Sequence, residues 1–159
     1  MKNVKNIVLG FLASLVVLLG GYTAGDKLGA GRLNYMERTM LDEVVATTVS
    51  SAFNVADFVH VGFTVANTGA TGTLKFACSM QETAPTFSST QSVTNRWDYV
   101  EIIDLEDGTS IAGDTGIVTT GSTDVRQFEL NTNNLRWCSA IWTRTSGTST
   151  VKLLGAMNN

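Results

Sequence analysis

His60 is the only histidine of this 159-residue chain, and it limits the acid–base chemistry that the chain can support. Serine and cysteine nucleophiles are most often activated by a neighbouring histidine, so a Ser-His-Asp or Cys-His arrangement would need this residue. His60 lies between Val59 and Val61 in a predicted strand, on the face opposite the two valines. This position favours a surface or partner-contacting imidazole, and we predict that the chain is not an enzyme and has no catalytic residues.

Five carboxylates lie close together in the sequence and could bind a cation: Asp98, Glu101, Asp104, Glu106 and Asp107. Calcium prefers clustered carboxylate oxygens on glycine-bearing loops, and Gly108 follows the last of these acids. Their spacing does not match an EF-hand, and a solvated strand edge and turn explains the same residues. Nor does any pair of acids stand out as a candidate for sugar hydrolysis. We therefore predict no metal and no cofactor.

Cys78 and Cys138 are the only two cysteines, and both fall in predicted strands. In an exported domain they could form a disulfide, because such bonds persist outside reducing compartments. Two small buried thiols would explain them equally well. Since the sequence does not give the distance between them, both interpretations stay open.

Trp97, Tyr99 and Trp142 are the candidate contacts with a glycan or a protein partner. Aromatic side chains with a polar tip are enriched at interfaces, although in a small domain large aromatics more often belong to the core. The polar segment Glu82–Asn95, which contains the only proline, is long for a loop in a compact domain. Loops of this length are often functional.

The rest of the chain after residue 44 has the pattern of an all-β domain. Threonine, serine and glycine are frequent, apolar residues alternate with polar ones, and charged residues make up only 16% of the chain as a whole. The pattern predicts one hairpin around a turn at Asn67–Gly72 and a closing hairpin, Leu135–Gly155, around Thr145–Thr148. The first strand of the closing hairpin has large apolar groups on both faces, which predicts that it is covered on both sides. Trp97, Tyr99, Ile103 and Leu105 are predicted to share one strand face.

The N-terminal segment is apolar and uncharged over a long stretch, unlike the alternating pattern of the later residues. Two lysines in the first six residues precede Ile7–Gly21, which has no charge, and the apolar stretch extends to residue 24. About 18 apolar residues lie at the lower limit for a bilayer-spanning helix, so residues 1–25 are either a signal peptide or a transmembrane anchor. Both alternatives imply export. Residues 26–43 are predicted to be a glycine-rich linker followed by a short helix over Leu33–Val45.

Charge is divided unevenly along the chain. Residues 1–40 carry five Lys or Arg against two acids, whereas residues 41–159 carry six against twelve. An acidic domain with scattered arginines repels a phosphate backbone, so no nucleic-acid partner is predicted.

Four segments carry a resemblance to a known group of proteins: Ser50–Phe58, Gly72–Ser79, Trp97–Val100 and Leu135–Thr148. They resemble small β-sandwich modules of tailed-phage and related viral structural proteins. Those modules open with a Ser-Ala-hydrophobic stretch and end with an Arg-bearing strand, a Thr-Arg-Thr-Ser-Gly-Thr turn and a last strand. The resemblance covers about residues 41–156 and implies a structural role in a virion.

Two features depart from that group. Its members commonly carry a Ser-Asn-Asp-Gly turn where this chain has Ser79-Met80-Gln81-Glu82 and a longer loop, and they usually lack an apolar N-terminus. If the resemblance holds, the apolar N-terminus implies a membrane-embedded virion component or a cell-envelope protein with the same module.

Together these observations predict an all-β fold, an antiparallel β-sandwich of jelly-roll or Ig-like type over residues 44–159, preceded by an N-terminal hydrophobic helix. The predicted role is a virion or envelope structural protein, located at the virion surface, in a membrane or in the cell envelope. Its predicted partners are copies of itself, other virion or envelope proteins, and a lipid membrane through residues 7–24. The alternative is a secreted or membrane-anchored carbohydrate-binding or adhesion domain.

Overall fold

The computed structural model describes residues 34–157, with side chains from residue 37 to residue 152. This part of the chain contains nine β-strands and no helix: β1 Asn34–Val44, β2 Thr48–Val49, β3 Phe53–Asn54, β4 His60–Ser79, β5 Asp98–Tyr99, β6 Ile102–Asp104, β7 Ser110–Ile111, β8 Ile117–Asn131 and β9 Trp137–Met157. The pairing is antiparallel throughout. The prediction of an all-β antiparallel fold is confirmed.

The predicted N-terminal hydrophobic helix, with its membrane contact through residues 7–24, lies outside the described residues. Between residues 34 and 157 there is no helix with the length and hydrophobicity to cross a bilayer.

Three long strands dominate the single sheet, whose order is β1-β9-β4-β8-β6-β7. Strands β4, β8 and β9 have 20, 15 and 21 residues, far above the usual five or six. The short strands β2 and β3 pair with β9, and β5 pairs with β4. The central strand β4 therefore has β9 on one side and β8 on the other.

Strand β4 bends so far that its two halves face each other. Phe63 and Phe76 are thirteen positions apart on this strand, a separation of about 40 Å in a straight strand. Their ring centroids are only 4.1 Å apart. The hydrophobic core fills the space between the two facing halves, and its largest fully buried side chains include Trp142, Phe53, Phe63, Phe76 and Phe128.

The bend follows a line across three neighbouring strands, which we call the crease. On each strand a glycine has a positive φ: Gly147 on β9 (69°), Gly69 on β4 (58°) and Gly121 on β8 (64°). The ladders β4–β8 and β4–β9 both shift register here. Extra residues and left-handed glycines are the usual means of bending a strand, so the crease is built from β-bulges.

Both predicted hairpins are wrong. Thr145–Thr148 lies inside β9 and Asn67–Gly72 lies inside β4, and the two halves of each strand do not pair with each other. Instead, β4 and β9 pair along almost their whole length, with Thr68 opposite Thr148 at the crease. A glycine at positive φ serves a hairpin turn and a bulge equally, so local sequence does not distinguish them.

The short helix predicted over Leu33–Val45 is also wrong for the described residues. Asn34–Val44 forms β1, which pairs with β9 from Asn34 opposite Met157 to Val44 opposite Ser149. Residues 34–43, which were assigned to the linker and short helix, thus belong to a strand of the sheet. Tertiary contacts override helix propensity here, because pairing with β9 places Leu41 in the buried core.

The predicted shared face of Trp97, Tyr99, Ile103 and Leu105 is contradicted as well. Trp97 is buried, whereas Ile103 and Leu105 are exposed. The chain leaves the ladder after Tyr99 and re-enters it at Ile102, so that Ile102 and Asp104 point inward. In contrast, the prediction that the Trp137 segment is covered on both faces is confirmed, since Ile141 and Trp142 are both fully buried.

Candidate interaction surface

A long segment without regular structure, Met80–Trp97, covers the outer face of the sheet beside β4 and β9; we call it the 80–97 loop. Trp97 packs against the loop residue Phe87, with ring centroids 5.8 Å apart, and both belong to a second apolar cluster with Ala77 and Ile141. This cluster explains how Ile141 is buried although it points away from the main core.

Side-chain hydrogen bonds hold the 80–97 loop at both ends. The indole of Trp97 donates to the carbonyl of Thr86 at 3.2 Å, and the indole of Trp137 donates to the carbonyl of Glu82 at 3.3 Å. Ser79 donates to the carbonyl of Arg96 at 2.9 Å. Such bonds satisfy loop carbonyls that have no ladder partner.

Of the three aromatic residues predicted as contacts, only Tyr99 reaches the surface. Trp97 is 5% exposed and Trp142 is 0% exposed, because both rings fill apolar clusters. The predicted contact role of Trp142 is contradicted, and Trp97 presents only the small exposed part that lines the depression described below. Tyr99 lies edge-on to Trp97 at 5.4 Å, with the Lys75 ammonium 4.6 Å from its ring centroid.

Burial raises the pKa of Tyr99, and the carboxylate of Asp114 raises it further. The neutral phenol is therefore favoured in the folded state. The resulting stability is fully present below the unfolded pKa, about 10, and is lost as pH rises through the higher folded pKa. We expect stability to fall less steeply above about pH 10 in Tyr99→Phe than in the wild type, as measured by urea unfolding at a series of pH values. Equal slopes of the free energy of unfolding against pH in the two proteins would contradict this prediction.

A depression of about 510 Å³ lies between the 80–97 loop and the end of the sheet. Met80 and Val93 are 70% and 101% exposed at its rim, although both are apolar. It is lined by Cys78, Ser79, Met80, Gln91, Ser92, Val93, Arg96, Trp97, Asp98, Val100 and Leu135. A second depression of about 410 Å³ shares Val100 and Leu135 with the first.

The lining of these depressions is chemically mixed. It combines apolar side chains with amides, hydroxyls and the charged groups of Arg96, Asp98 and Glu101, and His60 is not part of it. The sequence analysis did not identify Met80, Val93 and Leu135. The only sequence signal was an apolar residue within a polar loop, which is too common to be informative.

Cys78 and Cys138 lie directly opposite each other on β4 and β9, with Cα atoms 4.1 Å apart. Their sulfur atoms are bonded to each other in the structure. Cys138 is fully buried, and Cys78, which is 3% exposed, is among the residues that line the larger depression. The bond joins the two central strands on the side of the crease where the 80–97 loop packs.

His60 lies at the surface, where its side chain contacts an acidic residue of β8. Its Nδ1 atom is 2.8 Å from a carboxylate oxygen of Glu129 on β8, and both side chains are at least partly exposed. An exposed pair of this kind contributes little to stability.

The five predicted acidic residues do not converge on one point. Asp98 accepts a hydrogen bond from Gln91 at 2.7 Å, while Asp104 is 2% exposed and forms an ion pair with Arg126. Hydrogen bonds from the backbone and side chain of Thr109 lower the pKa of Asp107. In residues 34–157, no three histidine, cysteine or acidic side chains are grouped in a way that could hold a metal ion.

The Asp104–Arg126 pair instead connects β6 to β8. Asp104 also accepts the backbone N–H of Glu106 at 3.0 Å, and the Arg126 guanidinium lies 5.1 Å from the centroid of the Phe128 ring. One charge of the pair is buried, so removal of its partner leaves a desolvated carboxylate.

We expect Arg126→Leu to lower the free energy of unfolding by about 2 kcal/mol, measured by urea unfolding at neutral pH. Glu106→Gln is the matched control, because Glu106 is exposed and lies 4.0 Å from Arg126 Nε. The control should change stability by less than about 0.5 kcal/mol. If the two substitutions lowered the free energy of unfolding equally, the buried ion pair would contribute no more to stability than an exposed charge does.

Comparison with known proteins identifies the fold. No protein-family model matches the chain, and no curated protein matches its sequence. Among solved structures, the SPBc2 prophage-derived protein YomS superposes with a TM-score of 0.59 at 10% identity, covering 77% of this chain and 93% of YomS. The PBSX exported protein XepA superposes with a TM-score of 0.60 at 12% identity, covering 80% of this chain.

The chain therefore has the fold of phage-derived β-modules, and the resemblance inferred from its sequence is confirmed at the level of fold. It matches YomS over nearly the whole length of that protein, but it spans only 39% of XepA.

Proposed function

We propose that this protein is a non-enzymatic structural module of a phage-type virion or of an exported cell-envelope assembly, displayed at a surface and in contact with neighbouring subunits. The observation that carries the proposal is the match to YomS, a prophage-derived protein, over 93% of its length. The lining of the two depressions supports a binding role over catalysis, because it holds no histidine to activate Ser79 or Ser92, and the Asp98 carboxylate accepts a hydrogen bond from Gln91.

Export is part of the proposal. XepA, which shares the fold, is named as an exported protein, and a buried disulfide in the present chain suits an oxidising compartment. The uncharged stretch Ile7–Gly21 supplies a candidate export signal or membrane anchor. We propose the virion surface or the cell envelope as the location, with attachment to lipid through residues 7–24.

The finer fold assignment also belongs to the proposal. A sheet creased into two facing halves around one core has the layering of a β-sandwich. We propose a sandwich of the jelly-roll or Ig-like kind, in which bent strands pass from one layer to the other. The carbohydrate-binding alternative is not retained, because the tryptophans on which it depended are buried.

Immunogold labelling tests the location. An antibody against residues 41–159 is applied to released particles and to cells of the source culture, with antibody absorbed by purified protein as the control. Label on particles is expected if the protein is a virion component, and label on envelopes alone would restrict the proposal to an envelope assembly. Label confined to the cytoplasm would overturn it.

A further inference from the structure

Strand β4 is bent at the crease, so its first residue, His60, and its last, Ser79, both lie on the side of the domain away from the crease. Hydrogen bonds join the connections that leave these two ends. The backbone N–H of Thr132 donates to the carbonyl of Val59 at 2.8 Å, and that of Arg136 donates to the carbonyl of Ser79 at 2.9 Å. We call this side of the domain the base, which comprises residues 55–59, residues 132–136 and the two ends of the 80–97 loop.

Apolar side chains are exposed at the base. Val59 is 57% exposed, Met80 is 70% exposed and Val93 is 101% exposed. Met80 and Val93 line the same depression as Leu135, which belongs to the connection between β8 and β9, so they lie close to each other. A single exposed apolar residue needs no explanation, whereas a group of them beside an open depression marks a contact surface.

The charges at the base are balanced. Arg96 and Arg136 are exposed there, and so are Asp57 and Glu82. A surface with balanced charge is not drawn to a strongly anionic partner such as acidic lipid. The headgroup of phosphatidylcholine carries one charge of each sign, so it can pair with both kinds of side chain while apolar residues enter the boundary with the acyl chains.

The described part of the chain begins at the base. Asn34 is the first residue of β1 and pairs with Met157 of β9, at the end of the sheet where β4 begins. Nine residues, 25–33, separate Asn34 from the end of the apolar stretch at residue 24. Nine residues span about 32 Å at most, which is about the length of the half-strand of β4 that runs from the base to the crease. With residues 7–24 in a bilayer, the base is therefore the part of the domain that chain connectivity keeps nearest to lipid.

We propose that the base lies on a zwitterionic lipid surface, with Met80 and Val93 at the boundary between the headgroups and the acyl chains. This inference rests on the proposed attachment to lipid through residues 7–24, and it adds which side of the domain faces the bilayer. The crease then points away from the lipid. Neighbouring subunits meet the domain at its crease and its sheet faces, which the lipid leaves free.

Tryptophan fluorescence in brominated lipid tests this orientation, because bromine on an acyl chain quenches an indole only at short range. The full chain with Val93→Trp is reconstituted in phosphatidylcholine vesicles, with and without bromine near the headgroup end of the acyl chains. Bromine is present in both leaflets, so the direction of insertion does not affect the result. We expect the emission that the new tryptophan adds to that of the wild type to be largely lost in brominated vesicles. In unbrominated vesicles its maximum should lie at a shorter wavelength than in detergent.

Val45→Trp is the matched control, the same substitution at a valine that is 63% exposed. Val45 follows Val44, which pairs with Ser149 beside the crease. Its added emission should be unaffected by bromine, because this position is about 20 Å from the base along the strands. Both valines are exposed, so neither substitution disturbs the core.

Equal quenching at the two positions, or no quenching in Val93→Trp, would overturn the proposal. A shift to shorter wavelength without quenching would show that a protein covers Val93, and would overturn it as well. Flotation of the same vesicles measures the attachment separately. If the chain floats but Val93→Trp is not quenched, this inference fails while the attachment through residues 7–24 stands. A chain that does not float contradicts the attachment itself, and this inference with it.

Discussion

Reduction of the Cys78–Cys138 disulfide is expected to lower the free energy of unfolding by about 4 kcal/mol. The two cysteines are 60 residues apart in sequence, so the bond closes a long loop in the unfolded chain and removes much of its conformational entropy. Both cysteines are buried and lie on the central strands β4 and β9. The bond therefore stabilises the part of the sheet against which the 80–97 loop packs. The total free energy of unfolding of a domain is typically about 5–15 kcal/mol, so the bond is expected to supply a large fraction of it.

Urea unfolding with and without dithiothreitol measures the effect. The double variant Cys78→Ala, Cys138→Ala should unfold near the midpoint of the reduced wild type, and dithiothreitol should not change it further. This control separates the bond from other effects of the reductant. Coincident midpoints for the oxidised and reduced wild type would show that the two residues act only as buried thiols.

Substitution of Gly147 by alanine is expected to lower the free energy of unfolding by about 3 kcal/mol, through a positive φ and overpacking together. Gly147 has a φ of 69°, which strains any residue with a Cβ atom. A Cβ atom there would also collide with the backbone of Gly69 and Ala70 on β4, a rigid neighbour that cannot move aside. Both effects act at the crease, where β9 and β4 bend together.

Gly121→Ala is the matched control for this prediction. Gly121 has a similar φ of 64°, but a Cβ atom there would meet nothing within 4 Å. We expect it to cost only about 1 kcal/mol, the backbone contribution alone. Urea unfolding of both variants gives the difference. If the two substitutions cost the same, close packing of β9 on β4 at the crease is not important for stability.

The candidate surface shows which parts of a site a single sequence can reveal. The two cysteines were recognised as a candidate pair, but only the register of β4 with β9 places them opposite each other. Trp97 and Trp142 were recognised as large aromatics, but their type is the same in a core and at an interface.

The sequence by itself determined the all-β class and the coverage of the last strand on both faces. Both depend on composition and on a period of two, which are properties of neighbouring residues along the chain. The tertiary structure alone decided the path of the strands. Gly69 and Gly147 satisfy the backbone requirement of a hairpin turn and of a bulge alike, and the choice was made by burial of Phe63 against Phe76 across the crease. That contact joins residues of one strand through space, and no local pattern encodes it.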